Sequence, residues 1–182
     1  MNIPDKKECF NIIHENKMLE HIIRHSEMVM NVADFLCSNL INTFPKLNID
    51  LAKATALLHD ITKTRSFTTG ERHAETGGEL IKNLGFPEAG DIIRQHVFLD
   101  NYNDIPPVIE AEIINYSDKR VLHDKVVPLE ERLEYIYKRY VTNAEFIKHF
   151  DFMKNKTYLL EKKIFTYMDC EPDDLKKLIM KN

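Results

Sequence analysis

The chain has no tryptophan, five glycines and three cysteines in 182 residues. No apolar run approaches the roughly 18 residues needed to cross a bilayer as a helix. Cys9, Cys37 and Cys170 are odd in number, widely spaced and outside any Cys-x-x-Cys pattern, which excludes a disulfide framework and a zinc ribbon. The start, Met1-Asn-Ile-Pro-Asp-Lys-Lys-Glu8, lacks the basic-then-apolar order of an export signal, so a cytoplasmic protein is expected. A Gly-rich phosphate loop is also missing, because Gly77-Gly78 falls inside an expected helix, where small residues permit close packing or leave room. With a formal charge of -4 there is no global basic field, which argues against duplex nucleic acid but leaves small anionic substrates open.

What is present is 43% hydrophobic and 30% charged, the composition of a helix-rich globular chain long enough for one domain. Ile22, Val29, Val32, Ala33, Leu36 and Leu40 recur at three-and-four spacing, so a long amphipathic helix is expected over 18–40 with His25 on its buried stripe. Pro45 interrupts the chain, Asp50 offers an N-cap, and 51–61 reads as a short, strongly apolar helix. The hydroxyl-rich stretch Thr62–Gly70 reads as a loop. Further helices are expected at 72–84, stopped by Gly85, at 88–98 and at 107–122, which Pro106-Pro107 would open. Pro128 would start another, Asn143–Met168 a long one, and Pro172 a last short one. No strand-type alternation or internal repeat is visible, so the fold expected is an all-α bundle of about seven to nine helices.

The apolar run Leu51-Ala-Lys-Ala-Thr-Ala-Leu-Leu58 ends in His59-Asp60. An imidazole beside a carboxylate at a core-facing helix end is costly to bury unless a cation compensates it. His25, His73, His96 and Asp118 each fall on the apolar side, or at an end, of an expected helix, giving six candidate ligands for one site. Mixed imidazole and carboxylate donors suit transition metals better than Mg or Ca.

His25, His59-Asp60 and Asp118, in that order on an all-helical chain, resemble the HD superfamily of metal-dependent phosphohydrolases, over roughly residues 18–123. The resemblance implies one domain over 1–182, with the motif-bearing core at 18–123 and covering helices at 128–182. It also implies that His25, His59, Asp60 and Asp118 hold a first ion. His73 and His96 match the further histidines of the family's dinuclear branch, in which Asp60 would bridge two divalent transition metals. Iron and manganese fit first; cobalt, nickel and zinc are alternatives. A water or hydroxide between the ions would attack a phosphoester or phosphoanhydride of a small nucleotide or phosphorylated metabolite.

Lys63 completes the His-Asp-x-x-Lys pattern as a catalytic and phosphate-binding candidate, with Arg65, Lys119 and Arg120 as weaker phosphate contacts. A homodimer is compatible with this reading. The same ligand set also serves mixed-valent di-iron oxygenases, and a non-catalytic metal-binding regulatory domain is a third reading. Outside the motif, His123-Asp124, His14, His21 and His149 are set aside as ligands, with His21 left as an outer-layer candidate. Glu130-Glu131 reads as first-turn helix charge, Tyr135, Tyr137 and Tyr140 as packing, and Lys148, Lys154, Lys156, Lys162 and Lys163 as a solvated face.

Overall fold

Asn48, not Asp50, opens the helix that leads to His59: its side chain accepts from the Leu51 N–H at 3.0 Å, satisfying an otherwise free helix-end donor. In the computed structural model, which describes residues 1–180, this helix is α3 (Ile49–Leu58), preceded by α1 (Lys6–Glu15) and α2 (Glu20–Leu40). Leu51, Ala52, Ala54, Ala56, Leu57 and Leu58 are all buried, so α3 is enclosed by its neighbours instead of lying on the surface. Its alanines let α2 approach closely on one side while its leucines fill the space on the other.

The segment expected as a loop is instead helix α4 (Lys63–Thr69), closed by Gly70 at φ 69. The hydroxyls that argue against a helix are satisfied inside it. Ser66 donates to the Lys63 carbonyl, and Thr68 and Thr69 both donate to that of Arg65. Helices α5 (His73–Asn83) and α6 (Pro87–Arg94) follow as an antiparallel pair, turned by Gly85 at φ 94. They pack backbone to backbone: a Cβ on Gly78 would lie 2.6 Å from the Gly90 carbonyl oxygen, and one on Gly90 would lie 2.5 Å from that of Gly78. Helix α6 is shorter than expected because the chain turns at Gln95 and brings His96 inward.

Helix α7 (Glu110–Asp118) begins after Pro106-Pro107, where the Glu112 carboxylate reaches back to the Ile109 N–H at 3.2 Å. It stops before 122 because Val121–Leu122 (β1) pairs antiparallel with Lys125–Val126 (β2), a two-strand ribbon that the sequence pattern does not announce. The remaining elements are α8 (Leu129–Tyr140), α9 (Ala144–Phe165), a 3₁₀ turn (Pro172–Asp174) and α10 (Leu175–Ile179). The architecture is all-α, with α1 and α4 as helices in addition to the expected segments. No helix among the described residues is long and apolar enough to cross a membrane.

Two buried clusters share α2 and α3, one running to α7, α9 and α10 and the other to α1, α5 and α6. A third, small cluster of Leu129, Leu133 and Met153 holds α8 against the first half of α9. Lys163, expected on a solvated face, is buried; its ammonium bonds both Glu112 oxygens, at 2.7 and 2.9 Å, and so clamps α9 to α7.

Candidate metal centre

His59 caps the C-terminal end of α3, and both it and Asp60 have no exposed surface. Around them gather His25 from α2, His73 from the start of α5, His96 just after α6, and Asp118 from the last residue of α7. His25 Nε2 lies 3.0 Å from Asp118 Oδ1, and His59 Nε2 lies 3.8 Å from the same oxygen. On the other flank, His73 Nε2 is 3.3 Å and His96 Nε2 3.5 Å from Asp60 Oδ1, while Asp60 Oδ2 faces His59 at 3.4 Å. The structure therefore brings all six candidate residues together. One Asp60 oxygen faces His59 and the other faces the His73–His96 pair.

The imidazoles are aimed by the backbone. Nδ1 of His25 lies 2.8 Å from the His123 carbonyl, that of His59 2.7 Å from Ala56, and that of His96 2.7 Å from Ile93. A carbonyl only accepts, so each Nδ1 carries a proton and each ring turns its Nε2 inward. Burial pushes the pKa of His96 down to about 4, which keeps that ring neutral near pH 7. Burial alone would raise the Asp60 and Asp118 carboxyls. The charges and hydrogen bonds around them reverse this, Lys63 and His59 for Asp60 and His25 and Arg132 for Asp118, and hold both well below the usual carboxylate range.

The donor set also fits a cation by what it leaves unpaired. His59 Nε2 and Asp60 Oδ1 are buried without a hydrogen-bond partner, and His73 Nε2 sits only 3.2 Å from His96 Nε2. Such groups are costly in a protein interior unless a positive charge lies among them. Two triads have donor atoms close enough to share an ion: His25, His59 and Asp118, and His59, Asp60 and His96. Their donors are the nitrogen and oxygen ligands that transition ions accept.

Lys63 stands at the centre, its ammonium 2.7 Å from Asp60 Oδ2. The weaker phosphate-contact candidates are engaged by other protein groups. Arg65 pairs with Glu71 at 2.6 Å on the surface. Lys119 is buried and bonds the His96 and Asn115 carbonyls and the Asn115 side chain, each at 3.1 Å, so it braces the chain that carries His96. Arg120 is a correction to the sequence reading: it points away from the centre into a network with Glu161, Tyr116 and the carbonyls of Val127 and Pro172. In a helix-to-ribbon junction, neighbouring residues point in opposite directions, and sequence adjacency to Asp118 does not predict which way each one goes.

His123 contributes through its backbone, held at φ 56 in the ribbon turn, and not as part of a second His-Asp ligand pair. His21 is exposed in a recess beside His25. Sequence reasoning missed Arg132, on the segment of α8 that bears no motif. It is nearly buried, with one guanidinium nitrogen 3.5 Å from Asp118 Oδ1, its carbon 5.7 Å from the Tyr135 ring centre, and a buried Nε without a partner. The only signal was an arginine one turn into an amphipathic helix, which is common on surfaces.

The family profile described as HD domain matches residues 22–171. A tRNA (cytidine(56)-2'-O)-methyltransferase of Picrophilus torridus is 28% identical over 147 residues, 72% of this chain but 40% of that protein. Ribonuclease Y of Treponema denticola is 32% identical over 101 residues, 54% of this chain and 18% of that enzyme, so the chain spans well under half of either protein. An uncharacterized Methanocaldococcus jannaschii protein, MJ0778, is 25% identical across 75% of this chain and 87% of its own length. The fold is shared with a solved structure described as a predicted HD superfamily hydrolase from an uncultured Thermotogales bacterium, at TM-score 0.51 and 24% identity over 91% of each chain.

Proposed function

The chain belongs to the HD-domain family, whose profile spans residues 22–171, and on that premise we propose that it hydrolyses a phosphoester or phosphoanhydride of a small nucleotide or phosphorylated metabolite. At the level of the superfamily it is a metal-dependent phosphohydrolase. The observation that carries the finer reading is the convergence of imidazoles on Asp60, whose Oδ2 faces His59 and whose unpartnered Oδ1 faces His73 and His96. His25, His59, Asp60 and Asp118 would hold one ion and His73, His96 and Asp60 a second.

Divalent ions bound there supply charge for phosphoryl oxygens and lower the pKa of water towards neutrality. The chain's own residues do the rest. Lys63, beside Asp60, presents a cation to a phosphoryl oxygen that enters from the open side. Arg132 shields Asp118 and reaches the same opening. In the reaction the water oxygen bonds to phosphorus and the bond to the ester oxygen breaks. A proton from the water goes to the departing oxygen, leaving an alcohol and inorganic phosphate from a monoester, or two phosphorylated fragments from an anhydride.

The test is hydrolysis by protein loaded with Mn, Fe or Co, read as release of phosphate or of nucleotide fragments and assayed with and without air against mononucleotides, dinucleoside polyphosphates and simple phosphate esters. Anaerobic, chelator-sensitive release supports the proposal. Turnover that requires iron and dioxygen overturns it in favour of an oxygenase, and no release from any substrate with any metal overturns it in favour of a regulatory domain. The similarity to ribonuclease Y favours one second reading, cleavage of RNA. A short labelled oligoribonucleotide in the same panel decides that.

A further inference from the structure

Two adjoining recesses open beside the metal centre, and their chemistry differs. One, of about 310 Å³, is lined by Arg24, Arg132, Arg139 and Lys63 beside His25 and Asp60. The other, of about 290 Å³, runs under α8 and α9 between His73, His96 and Asp118. Its walls are Val97, Phe98, Ile136, Tyr140, Phe146 and Phe150, and almost all of its exposed surface is carbon. Lys63, Arg132 and Tyr140 belong to both recesses and form the partition.

Of the polar groups around the apolar chamber, Lys119 is already satisfied by three acceptors and Lys63 is paired with Asp60. Arg132, with its unpartnered Nε, His149 and Tyr140 also border it, but carbon makes up almost all of its exposed surface. A polyhydroxylated sugar placed there would lose its bonds to water and regain few, whereas an aryl or aliphatic group would lose nothing. The basic side offers cations to anionic oxygens, and its surface, which includes Ile22, Phe67 and Tyr135, is divided about evenly between polar and apolar atoms. Only a ligand that is anionic at one end and apolar at the other satisfies both sides of the partition at once.

We propose that the α8–α9 chamber is the leaving-group subsite, and that the substrate is a phosphate ester whose alcohol portion is apolar, aromatic or aliphatic. The proposal rests on the phosphohydrolase reading above. On hydrolysis the P–O bond to that alcohol breaks, the alcohol leaves with the proton from water, and the phosphate remains on the basic side.

Non-hydrolysable probes separate the two ideas. Phenylphosphonate and methylphosphonate present the same anion with and without a ring, and calorimetric titration into Mn-loaded protein measures each affinity. The expected result is tighter binding of the phenyl compound by about tenfold or more. Phe146→Ala, at a half-exposed position whose truncation leaves the main core intact, should reduce that ratio several-fold without changing methylphosphonate affinity, and Phe146→Leu should restore much of it. Hydrolysis of phenyl phosphate over glycerol phosphate should follow the same ratio. Equal affinity for the two phosphonates, or a preference that survives Phe146→Ala unchanged, overturns the subsite while leaving the phosphohydrolase reading intact. Failure of both probes to bind, with no ester hydrolysed, removes the parent reading and the subsite with it.

Discussion

Replacing Gly78 by alanine should damage the second metal position from a distance. The added Cβ would meet the Gly90 carbonyl oxygen at 2.6 Å and the Arg94 Cβ at 3.0 Å, where ordinary contact begins near 3.4 Å. The shortfall on the oxygen, 3.4 − 2.6, is about 0.8 Å, and because both sides are backbone or backbone-proximal, α5 and α6 must part to absorb it. Overpacking of this kind costs about 1–3 kcal/mol, and alanine's better helix propensity returns about 1 kcal/mol. A net loss of about 1 kcal/mol corresponds to a fall in melting temperature of roughly 2–4 °C for a chain of this size.

His73 opens α5 and His96 follows α6, with their Nε2 atoms 3.2 Å apart. Metal–ligand distances tolerate only about 0.2 Å, so the same parting should weaken the ion between them. His25, His59 and Asp118 sit on other helices and should keep theirs. Gly77→Ala is the control, because its Cβ meets only side-chain atoms, at 3.3, 3.4 and 3.5 Å. Differential scanning calorimetry with elemental analysis of both variants reads the outcome. A Gly78→Ala protein that melts no lower than wild type, or that keeps the same metal content, refutes the reasoning.

Direct removal of ligands should show the same division: His73→Ala or His96→Ala should leave one of two ions, and Asp60→Ala should compromise both, by elemental analysis of the purified variants. Equal loss of both ions from a histidine variant contradicts the allocation. Arg120→Met should destabilise by about 3 kcal/mol, because it removes the charge beside the largely buried Glu161, leaving it the Tyr116 hydroxyl, and strips the Val127 and Pro172 carbonyls of their Arg120 donors. Any hydrolytic KM should stay unchanged; a raised KM at unchanged stability would return Arg120 to the site. Chelated protein should lose stability on acidification. His96 is held near 4 in the fold against about 6.5 unfolded, so its contribution is complete above 6.5 and is lost as pH falls through this window. Asp60 and Asp118, whose carboxyls are held low, act with the same sign at lower pH. His59 is opposed by burial but raised overall by Asp60 and Asp118, so its contribution is already complete below 6.5. A melting temperature that rises between pH 6 and 4 would contradict this assignment.

The helical class and all six clustered residues could be read from the sequence because both rest on strong local signals. A three-and-four apolar spacing places His25 on the buried side of α2, and an unbroken apolar run forces His59-Asp60 inside. Thr62–Gly70 misled because its hydroxyls can bond the backbone of a helix as readily as that of a turn. Arg120, Lys163 and Arg132 were opaque for a different reason. A long cationic side chain reads as solvated until a partner such as Glu161, Glu112 or Asp118 is brought to it from a distant part of the chain. The ribbon turn at His123 escaped notice because two-residue strands leave no alternation to detect.

The α8–α9 hairpin is joined along its length by its own cluster of Leu129, Leu133 and Met153, while the second half of α9 is rooted in the main core through Leu160, Ile164 and the Lys163 clamp. It supplies chamber walls and none of the six clustered His and Asp residues. Residues at its tip can therefore vary, lengthen or be exchanged between lineages without disturbing the centre beneath. That separation makes the hairpin the part of this architecture through which selection can redirect an old chemistry to new compounds.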